Sequence, residues 1–476
     1  MSMYFDPQKT LDAKQAIEPL STRLRLQEQI GPFYDRCWDG ELKDSTVIHL
    51  DDFSAIPFLS DITGVEEYQH RARLRAREGD AYVATTPPTL GYEAYCGRML
   101  GLDPVEMLTA SSAKNPLELS RACCQGKVET RLVEIAKSSE SFLIHPFMGI
   151  ERVWELAALI AEEAETAVGV IAPPPPVTWM ANDKSLFTEI VMHVLGPEWL
   201  VEGQLAEEVS NLTVALASLA KRHSRVALKR LRCASAMGNR VFESAAIRAM
   251  PESEVAAEVR EFLERTEWDG QEAVFAVAWE ESDHSPSTQL WIPPEGRGQV
   301  RLDGVYEQLL AGERRVFVGS RPSTLPTRVN DCIGTASVQI ASALQSLGYV
   351  GRCSFDFIVN GDLDGDFQAR FTECNGRWGG ASSPMALMDR LFPQGRPPYR
   401  ARDFVHPGLV GAAFNDVLTV VDKAVWDHRS GQGRYLFYNT GPLRAHGKLD
   451  VIALGESQAE ADAALEEDLP RILGLS

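Results

Sequence analysis

Short apolar runs of strand length alternate with helical hydrophobic repeats along the first third of the sequence. Ser45–Leu50 and Ser141–Pro146 are apolar runs, and residues 151–165 place apolar side chains at helical spacing with an acidic outer face. Residues 167–172 form another strand-like run, which ends at four prolines, 173–176, that make a stiff connection. Because strand, helix and strand in this order form the unit of a parallel sheet, the pattern predicts a parallel α/β domain.

The rest of the chain alternates predicted helices with predicted strands. Amphipathic patterns predict helices at residues 185–194, 205–218, 251–265, 336–347 and 457–469. Short apolar, β-branched and aromatic runs predict strands at residues 225–229, 273–279, 288–292, 352–359, 367–373, 434–439 and 449–454. The turn sequence GDLDGD joins the fourth of these strands to the fifth, which predicts an antiparallel hairpin.

Two shifts in composition divide the chain. The proline block marks the first, and residues 393–407, which are rich in Pro and Arg, mark the second. We therefore predict an N-terminal α/β domain at residues 1–176, a central region at 177–394 and a C-terminal α+β subdomain at 395–476.

Charge and composition are those of a globular protein and argue against several functional classes. Lys plus Arg number 47 and Asp plus Glu number 67, and the formal charge of -20 disfavours nucleic-acid and membrane-surface binding, which need a basic face. The N-terminus has no signal pattern, and no apolar run approaches the ~20 residues that span a bilayer. The eight cysteines include no CxxC pair and therefore no zinc or redox signature. We expect a cytoplasmic protein without nucleic-acid or membrane partners.

The segment at residues 352–380, RCSFDFIVNGDLDGDFQARFTECNGRWGG, carries the most informative chemical pattern. Asp356 lies inside an apolar strand, whereas Glu373, Asn375 and Arg377 alternate at the end of the next strand and therefore point to one side of it. A hairpin can bring Asp356 opposite that row. Carboxylate and amide oxygens suit Mg²⁺ that bridges nucleotide phosphates, and a neighbouring arginine can neutralise phosphate oxygens.

This pattern resembles the metal-binding signature of ATP-grasp enzymes, in which an acid on one strand accompanies Glu-x-Asn on the next. The resemblance implies that Asp356, Glu373 and Asn375 bind Mg²⁺, with Mn²⁺ as an alternative. It implies a parallel α/β pre-ATP-grasp domain followed by a two-lobed ATP-grasp fold with antiparallel sheets. It also implies an ADP-forming ligase that uses ATP to activate a carboxylate as an acyl phosphate and transfers it to an amine. Arg377 would then hold the acyl phosphate or the tetrahedral intermediate.

Two lysines follow in the order that this family requires. Asn182, Asp183 and Lys184 together are similar to the start of the family's nucleotide-binding region, and we predict that they open a helix. Lys229 ends the predicted strand RVALK. The resemblance implies that Lys184 and Lys229 bind the phosphates of ATP, and that Lys229 also takes part in catalysis.

The remaining nucleotide contacts are implied by two segments. The loop at residues 233–240, CASAMGNR, is similar to the small-residue loop that covers the phosphates, which places Ser235 and Gly238 there. It departs from the family in having a single glycine where two are common. The strand AVFAVAW with Glu280 and Glu281 resembles the segment that pairs with adenine and holds the ribose, and which of the two acids faces the nucleotide is left open.

The FTECNGRWGGASSP stretch and the extended tail are most similar to peptide ligases of the pheganomycin type. That resemblance implies small-molecule substrates, namely a nonproteinogenic, guanidine-bearing amino acid and an amine or peptide N-terminus, in antibiotic biosynthesis. A homodimer is left open. Because Asp51 and Asp52 follow a predicted strand end, we hypothesise that they form an acidic wall that receives a cationic substrate.

Two other functions fit the same scaffold: a small-molecule kinase that stops at phosphoryl transfer, and a non-catalytic protein that binds nucleotide only. The complete set of metal-binding residues argues against the second. The sequence contains no GxxxxGK[ST], GxSxG or HExxH motif. His49 and His145 lie on apolar strands, and we interpret both as packed core histidines.

Overall fold

The computed structural model describes residues 4, 6–57, 59, 62–111, 115–232, 238–282, 284–311 and 316–475. Its helices are α1 Pro7–Ala16, α2 Glu18–Arg23, α3 Leu26–Ile30, α4 Tyr92–Arg98, α5 Leu119–Cys123, α6 Gly126–Ser138, α7 Glu151–Ala164, α8 Pro175–Asn182, α9 Lys184–Val194, α10 Val209–Ala220, α11 Ser244–Ala249, α12 Glu252–Arg265, α13 Thr327–Ser346, α14 Ser382–Leu391, α15 Phe414–Val421, α16 Leu443–His446, α17 Gln458–Ala463 and α18 Leu469–Ile472. Within the described ranges, no helix has both the length and the apolar character of a membrane span.

The strands of the same residues form three sheets. They are β1 Ser45–Leu50, β2 Ala81–Ala84, β3 Glu106–Thr109, β4 Ser141–Pro146, β5 Val168–Val170, β6 Gly203–Ala206, β7 Arg225–Arg230, β8 Asn239–Glu243, β9 Val274–Ala278, β10 Pro286–Ile292, β11 Arg301–Ala311, β12 Val316–Pro322, β13 Gly351–Gly361, β14 Phe367–Asn375, β15 Tyr399–Val405, β16 Tyr435–Asn439 and β17 Lys448–Leu454.

The first sheet is parallel and has the strand order β3-β2-β1-β4-β5. Ile48 and Leu50 of β1 and Ile160 of α7 are almost fully buried in its core. The predicted unit of strand, helix and strand is confirmed as β4, α7 and β5. Because neighbouring parallel strands run in the same direction, the loops that follow β1 and β4 leave the sheet at one edge, and these loops reach the site described below.

The second and third sheets are antiparallel and carry the acidic hairpin and Lys229, respectively. The order β6-β9-β7-β8 forms a small sheet, whose core against α10 and α12 includes Leu216 and Phe262. The order β14-β13-β10-β11-β12-β15-β17-β16 forms a large sheet, on which α13 packs through Ile333 and Ile340. A parallel α/β domain followed by antiparallel sheets confirms the predicted fold class. Since β15 and β17 extend the large sheet, the boundary at residue 394 stays a prediction.

Several predicted element limits are wrong for identifiable reasons. The helix predicted at 205–218 begins at Val209, because Leu205 pairs with Phe275 in the β6–β9 ladder instead. The helix predicted at 336–347 begins at Thr327, before the apolar repeat becomes regular. The tail helix is interrupted by a π-helical turn at Ala464–Asp468.

Proline also acts differently from the sequence-based expectation at two places. Pro175 and Pro176 form the first turn of α8, where the missing N–H is not needed by the helix. The Pro- and Arg-rich segment contains β15, whose Arg400 and Arg402 both reach Glu466. A strand can therefore carry arginines at alternate positions when an acidic residue pairs with them. A search for hydrophobic patterns alone does not detect such a strand.

A buried ionic network joins the N-terminal domain to the last strands of the large sheet. Arg71 lies in the 3₁₀ segment Val65–Leu74 and reaches Asp450 at 2.6 Å and Asp403 at 3.3 Å. Lys448 pairs with Asp403 at 2.9 Å. Removing one member of such a buried set would leave an uncompensated charge, so disrupting this contact between the parallel domain and the sheet would be destabilising.

Candidate active site

The β13–β14 hairpin positions the predicted metal-binding residues. Its register places Asp356 opposite Glu373 and Ser354 opposite Asn375, so these side chains share one face of the large sheet. The amide Nδ2 of Asn375 donates to Oδ2 of Asp356 at 3.0 Å. Burial, and then the nearby charge of Glu373, raise the pKa of Asp356 to about 7. The hairpin therefore concentrates negative charge where a cation would be favoured.

Lys184 meets this hairpin from the start of α9. The side chain of Asp183 accepts hydrogen bonds from the N–H groups of Ser185 and Leu186 and so caps the helix. This cap sets Lys184 as the first helical residue, with Nζ 3.0 Å from Oε2 of Glu373. Burial alone would raise the pKa of Glu373, but Lys184 together with Lys229 and Arg377 lowers it. The prediction that residues 182–184 open a helix is confirmed for Asp183 and Lys184, whereas Asn182 belongs to the end of α8.

Lys229 lies near the end of β7 in the small sheet. Its half-buried Nζ is 5.2 Å from the centroid of the Trp279 ring, next to the end of β9. Burial lowers the pKa of Lys229 to about 8, whereas the charge of Glu373 opposes the shift and that of Lys184 adds to it. The structure thus brings both predicted lysines into the field of one carboxylate on the large sheet.

Arg377 and the hairpin end are held by Asn182, which the sequence analysis did not identify as a site residue. Oδ1 of Asn182 accepts the N–H of Gly376 at 3.0 Å and lies 3.4 Å from Nη1 of Arg377. Nη1 of Arg377 also donates to Oδ1 of Asn375 at 2.6 Å. A Cβ at Gly376 would approach Nδ2 of Asn182 to 2.6 Å, so the contact requires glycine. The sequence feature that could have indicated a role for Asn182 is its position two residues before Lys184.

The donor set fits a magnesium ion that is completed by phosphates. No group of three or more His, Cys, Asp or Glu residues suited to a metal is found in the described part of the chain. Two carboxylates and one amide are enough for Mg²⁺, which usually keeps one or two carboxylates and fills its shell with phosphate oxygens and water. Asn375 turns its nitrogen to Asp356 and its oxygen to Arg377, so its amide must rotate to offer oxygen beside Asp356.

The remaining residues predicted to contact the nucleotide are Glu280, Glu281, Gly238 and Ser235, and the structure places the first three in different environments. Glu280 accepts from Arg370 at 2.6 Å and from Asn360 at 3.0 Å, both on the β13–β14 hairpin. Glu281 reaches Arg225 at 2.8 Å and is largely exposed. Gly238 is buried immediately before β8. Ser235 lies outside the described residues, so its predicted phosphate contact stays a prediction.

The hypothesis of an acidic wall at Asp51 and Asp52 is wrong, because both side chains are 2% exposed. Asp51 forms an ion pair with Arg75 at 2.6 Å. Asp52 accepts hydrogen bonds from the N–H and hydroxyl of Ser54 and from the N–H of Ser120. The local sequence pattern shows that an acidic residue follows a strand. It does not show whether a distant residue forms an ion pair or hydrogen bond with that acid.

His49 and His145 are buried as interpreted, at 3% and 8% exposure. Nε2 of His145 accepts the indole N–H of Trp378 at 3.2 Å, and Nε2 of His49 is 3.3 Å from Oδ2 of Asp80. Burial lowers the pKa of both histidines. The contact through Trp378 anchors the chain that follows Arg377 to the parallel domain.

A small, partly open cavity of about 30 Å³ lies beside these groups, between the parallel domain and the hairpin. Its lining includes four of the predicted site residues, together with polar and apolar side chains that the sequence analysis did not assign. The described lining residues are Ala55, Ile56, Pro57, Met148, Trp179, Asn182, Lys184, Arg232, Glu373, Cys374, Asn375 and Arg377. A larger open depression between α1, α9 and α13 contains none of the predicted site residues.

The role of Asn182 can be tested by removing its amide. Asn182→Ala takes the acceptor from Gly376 and Arg377, so we expect turnover to fall by about 10–100-fold, as for other groups that orient metal ligands and catalytic cations. Asn182→Asp keeps an acceptor oxygen and should recover part of this loss. The measurement is steady-state ADP formation over a range of Mg²⁺ concentrations, with the exposed Asn211→Ala as the control. Unchanged turnover in Asn182→Ala would show that the contacts of Asn182 with Gly376 and Arg377 are not needed for activity.

The sequence matches no protein-family model and no curated protein. The fold is nevertheless similar to solved structures. An N5-carboxyaminoimidazole ribonucleotide synthetase in complex with ADP gives a TM-score of 0.54 at 12% identity, over 90% of this chain and 96% of that one. An N5-carboxyaminoimidazole synthase from Aspergillus clavatus, in complex with ADP and an aminoimidazole ribonucleotide, gives 0.51 at 10% identity, over 91% and 100%.

A third solved structure is the biotin carboxylase domain dimer of the Hydrogenobacter thermophilus 2-oxoglutarate carboxylase, in complex with MgADP, ADP and bicarbonate. It gives a TM-score of 0.52 at 13% identity, over 87% of this chain and 86% of that chain. Together with the sheet arrangement, these similarities show that the chain has the ATP-grasp fold.

Proposed function

We propose that this protein is an ATP- and Mg²⁺-dependent ligase that forms an amide bond between a carboxylate and an amine through an acyl phosphate. The observation that carries the proposal is the opposition of Asp356 and Glu373, with Lys184 and Arg377 at the same cavity. The fold is that of proteins solved with ADP or MgADP, which supports the choice of nucleotide and metal. Acids placed among cations suit a reaction in which a phosphoryl group moves between two anions.

Different residues around the cavity bind different parts of the substrates. Lys184 and Lys229 hold the phosphates of ATP, and Glu280 binds the ribose, because it lies against the hairpin whereas Glu281 faces solvent. Asp356, Glu373 and Asn375 would hold Mg²⁺, which would supply positive charge that offsets the negative charge of the phosphates. Arg377 binds the carboxylate and then the acyl phosphate, since its neighbours Asn182 and Asn375 are neutral and leave its positive charge available.

The reaction needs positioning and electrostatic stabilisation more than a covalent group of the protein. A carboxylate oxygen attacks the γ-phosphorus of ATP, and the bond to the β-phosphate oxygen breaks to release ADP. The amine nitrogen then attacks the acyl carbon, phosphate leaves with the bonding pair, and the amine loses a proton to solvent.

For the finer activity, we propose that the acid is a nonproteinogenic amino acid, the amine is a peptide N-terminus, and the product belongs to antibiotic biosynthesis. The resemblance of the FTECNGRWGGASSP stretch to peptide ligases supports this. The experiment incubates the protein with ATP, Mg²⁺, amino acids and short peptides and identifies the products by mass spectrometry. Free phosphate with an amide supports the proposal. A stable phosphate ester would indicate a kinase, and no amine-dependent ADP release would indicate a nucleotide-binding scaffold.

The two lysines should act on ATP rather than on the other substrates. Replacing Lys184 or Lys229 by Ala removes a phosphate contact, so we expect the KM for ATP to rise by about 10-fold or more, equivalent to about 1.4 kcal/mol, with a smaller change in the KM for the amine. Steady-state kinetics with each substrate varied in turn measures this. The exposed Lys221→Ala is the matched control. An unchanged KM for ATP in both variants would remove the lysines from the nucleotide site.

Lys229 also predicts a pH dependence. Its pKa of about 8 means that the side chain is a cation below that pH and a neutral amine above it. The negatively charged phosphates of ATP bind the protonated side chain of Lys229 more tightly than the neutral amine. The KM for ATP should therefore rise between about pH 7 and about pH 9. Kinetics across this range should show the rise in the wild type and in Lys184→Ala but a flatter profile in Lys229→Ala. The same rise in Lys229→Ala would assign the titration to another group.

A further inference from the structure

The cavity at the site has an apolar lining that the proposed chemistry does not use. We call Ala55, Ile56, Pro57, Met148 and Trp179 the apolar lining. The first three belong to the loop after β1, Met148 follows β4, and Trp179 lies on α8. These segments are far apart in sequence, and the fold brings them to the same cavity as Arg377.

The apolar lining is held in place by the surrounding structure. Met148 is 4% exposed, and the indole N–H of Trp179 donates to Glu151 at 2.7 Å. The N–H of Ile56 donates to the carbonyl of Phe53 at 3.1 Å, which closes the turn after β1. An apolar surface beside a reactive centre favours an apolar group of the ligand, because contact between the two removes apolar area from water.

The charged part of the lining selects anions rather than cations. Lys184, Arg232 and Arg377 are cationic, and Glu373 is the one acid among the lining residues that the structure describes. Glu373 already pairs with Lys184 at 3.0 Å, and the carboxylates of Asp51 and Asp52 are engaged inside the parallel domain. A guanidinium or ammonium side chain in this cavity would therefore lose water without gaining a described carboxylate partner.

We propose that the carboxylate substrate carries an aliphatic or aromatic side chain, which packs against the apolar lining while its carboxylate binds Arg377. This inference rests on the proposed ligase function and specifies the substrate class of the same site. It replaces the cationic substrate that the acidic wall would have received. Each apolar side chain placed in such a pocket changes kcat/KM by about 10–100-fold relative to a poorly fitting one.

The test uses hydroxylamine as the amine and measures acyl hydroxamate and ADP with ATP and Mg²⁺. Phenylalanine, leucine, arginine and glutamate, each as both enantiomers, are compared at matched concentration. We expect the apolar acids to exceed arginine and glutamate by about 10–100-fold in kcat/KM. Arginine or glutamate at or above phenylalanine would overturn the inference while leaving the ligase intact. Absence of hydroxamate from every acid would contradict the proposed function itself and the inference with it.

A variant shows whether the apolar lining is responsible. Ile56→Asp places a carboxylate in the cavity, so the ratio of kcat/KM for phenylalanine to that for arginine should fall by about 10-fold or more. A ratio is insensitive to the fraction of folded protein. Val420→Asp is the control, because Val420 is 53% exposed on α15 and does not line the cavity. An unchanged ratio in Ile56→Asp would remove the apolar lining from substrate selection.

Discussion

Glu373→Gln is expected to lower kcat for ATP-dependent amide formation by about 10³-fold, equivalent to about 4 kcal/mol of transition-state stabilisation. The substitution keeps the size of the side chain and an oxygen that Lys184 can still reach, but it removes the negative charge. That charge lies opposite Asp356 and within 3.0 Å of Lys184, where an ion bridging ATP phosphates would be held. Without it, Lys184 loses its anionic partner, and the proposed Mg²⁺ site loses one of its two carboxylates.

Two controls separate this loss of chemistry from a loss of structure. Glu281→Gln changes a largely exposed acid in the linker and should keep near-normal turnover. Urea unfolding of Glu373→Gln should give a free energy of unfolding within about 1–2 kcal/mol of the wild type, since the Lys184 ammonium can still donate a hydrogen bond to the neutral amide oxygen. A folded Glu373→Gln protein with kcat within about threefold of the wild type would exclude Glu373 as a metal ligand.

Arg377→Ala is expected to lower kcat by about 10²–10³-fold while changing the KM for ATP much less. Burial lowers the pKa of Arg377 below its usual range, although the charges of Glu373 and Asp356 oppose the shift. Its direct partners are the neutral amides of Asn182 and Asn375, so its charge is available to the carboxylate and the acyl phosphate. A cation held in a partly buried site contributes most where negative charge develops in the reaction.

The pattern of the two kinetic constants decides the role of Arg377. Arg377→Lys keeps a cation but loses the fork of donors, so its kcat should lie between those of the wild type and the alanine variant. Single-turnover formation of ADP, with and without the amine, shows whether the lost step is acyl-phosphate formation. If Arg377→Ala instead raises the KM for ATP at normal kcat, Arg377 binds the nucleotide and the carboxylate must be held elsewhere.

Local sequence patterns predicted the elements whose own residues carry the signal. The strands β1 and β4 have the predicted limits, and the turn GDLDGD correctly indicated the hairpin of β13 and β14. Alternation along a strand fixes which side chains share a face, so the common face of Glu373 and Asn375 follows from spacing alone. The register that sets Asp356 opposite Glu373 does not follow from the turn alone, because a β-bulge between Asp356 and Phe357 shifts the pairing by one residue. Without the bulge, the register set at the turn would place Thr372 opposite Asp356. The assignment of Lys184 and Lys229 to the nucleotide stays a prediction.

Contacts between residues distant in sequence decided several side-chain partners and strand positions that local patterns do not predict. Asp51 at the end of β1 has the same local pattern whether it faces a substrate or pairs with Arg75, and the tertiary structure shows the pair. The edge strand β6 replaced one turn of a predicted helix because β9 offers it backbone partners. The strand β15 is polar on alternate residues, and Glu466 from the distant tail makes that tolerable.

For this protein, the sequence alone determined the parallel α/β unit and the acidic hairpin, because their periodicity and turn chemistry lie within a few residues. Only the tertiary structure placed Asn182 against Gly376 and assembled Ile56, Met148 and Trp179 into one cavity with Arg377. These residues come from separate segments, and their proximity depends on how the parallel domain packs on the large sheet. That packing includes buried pairs such as Arg71 with Asp450, in which the attraction between segments distant in sequence offsets the cost of removing both charges from water.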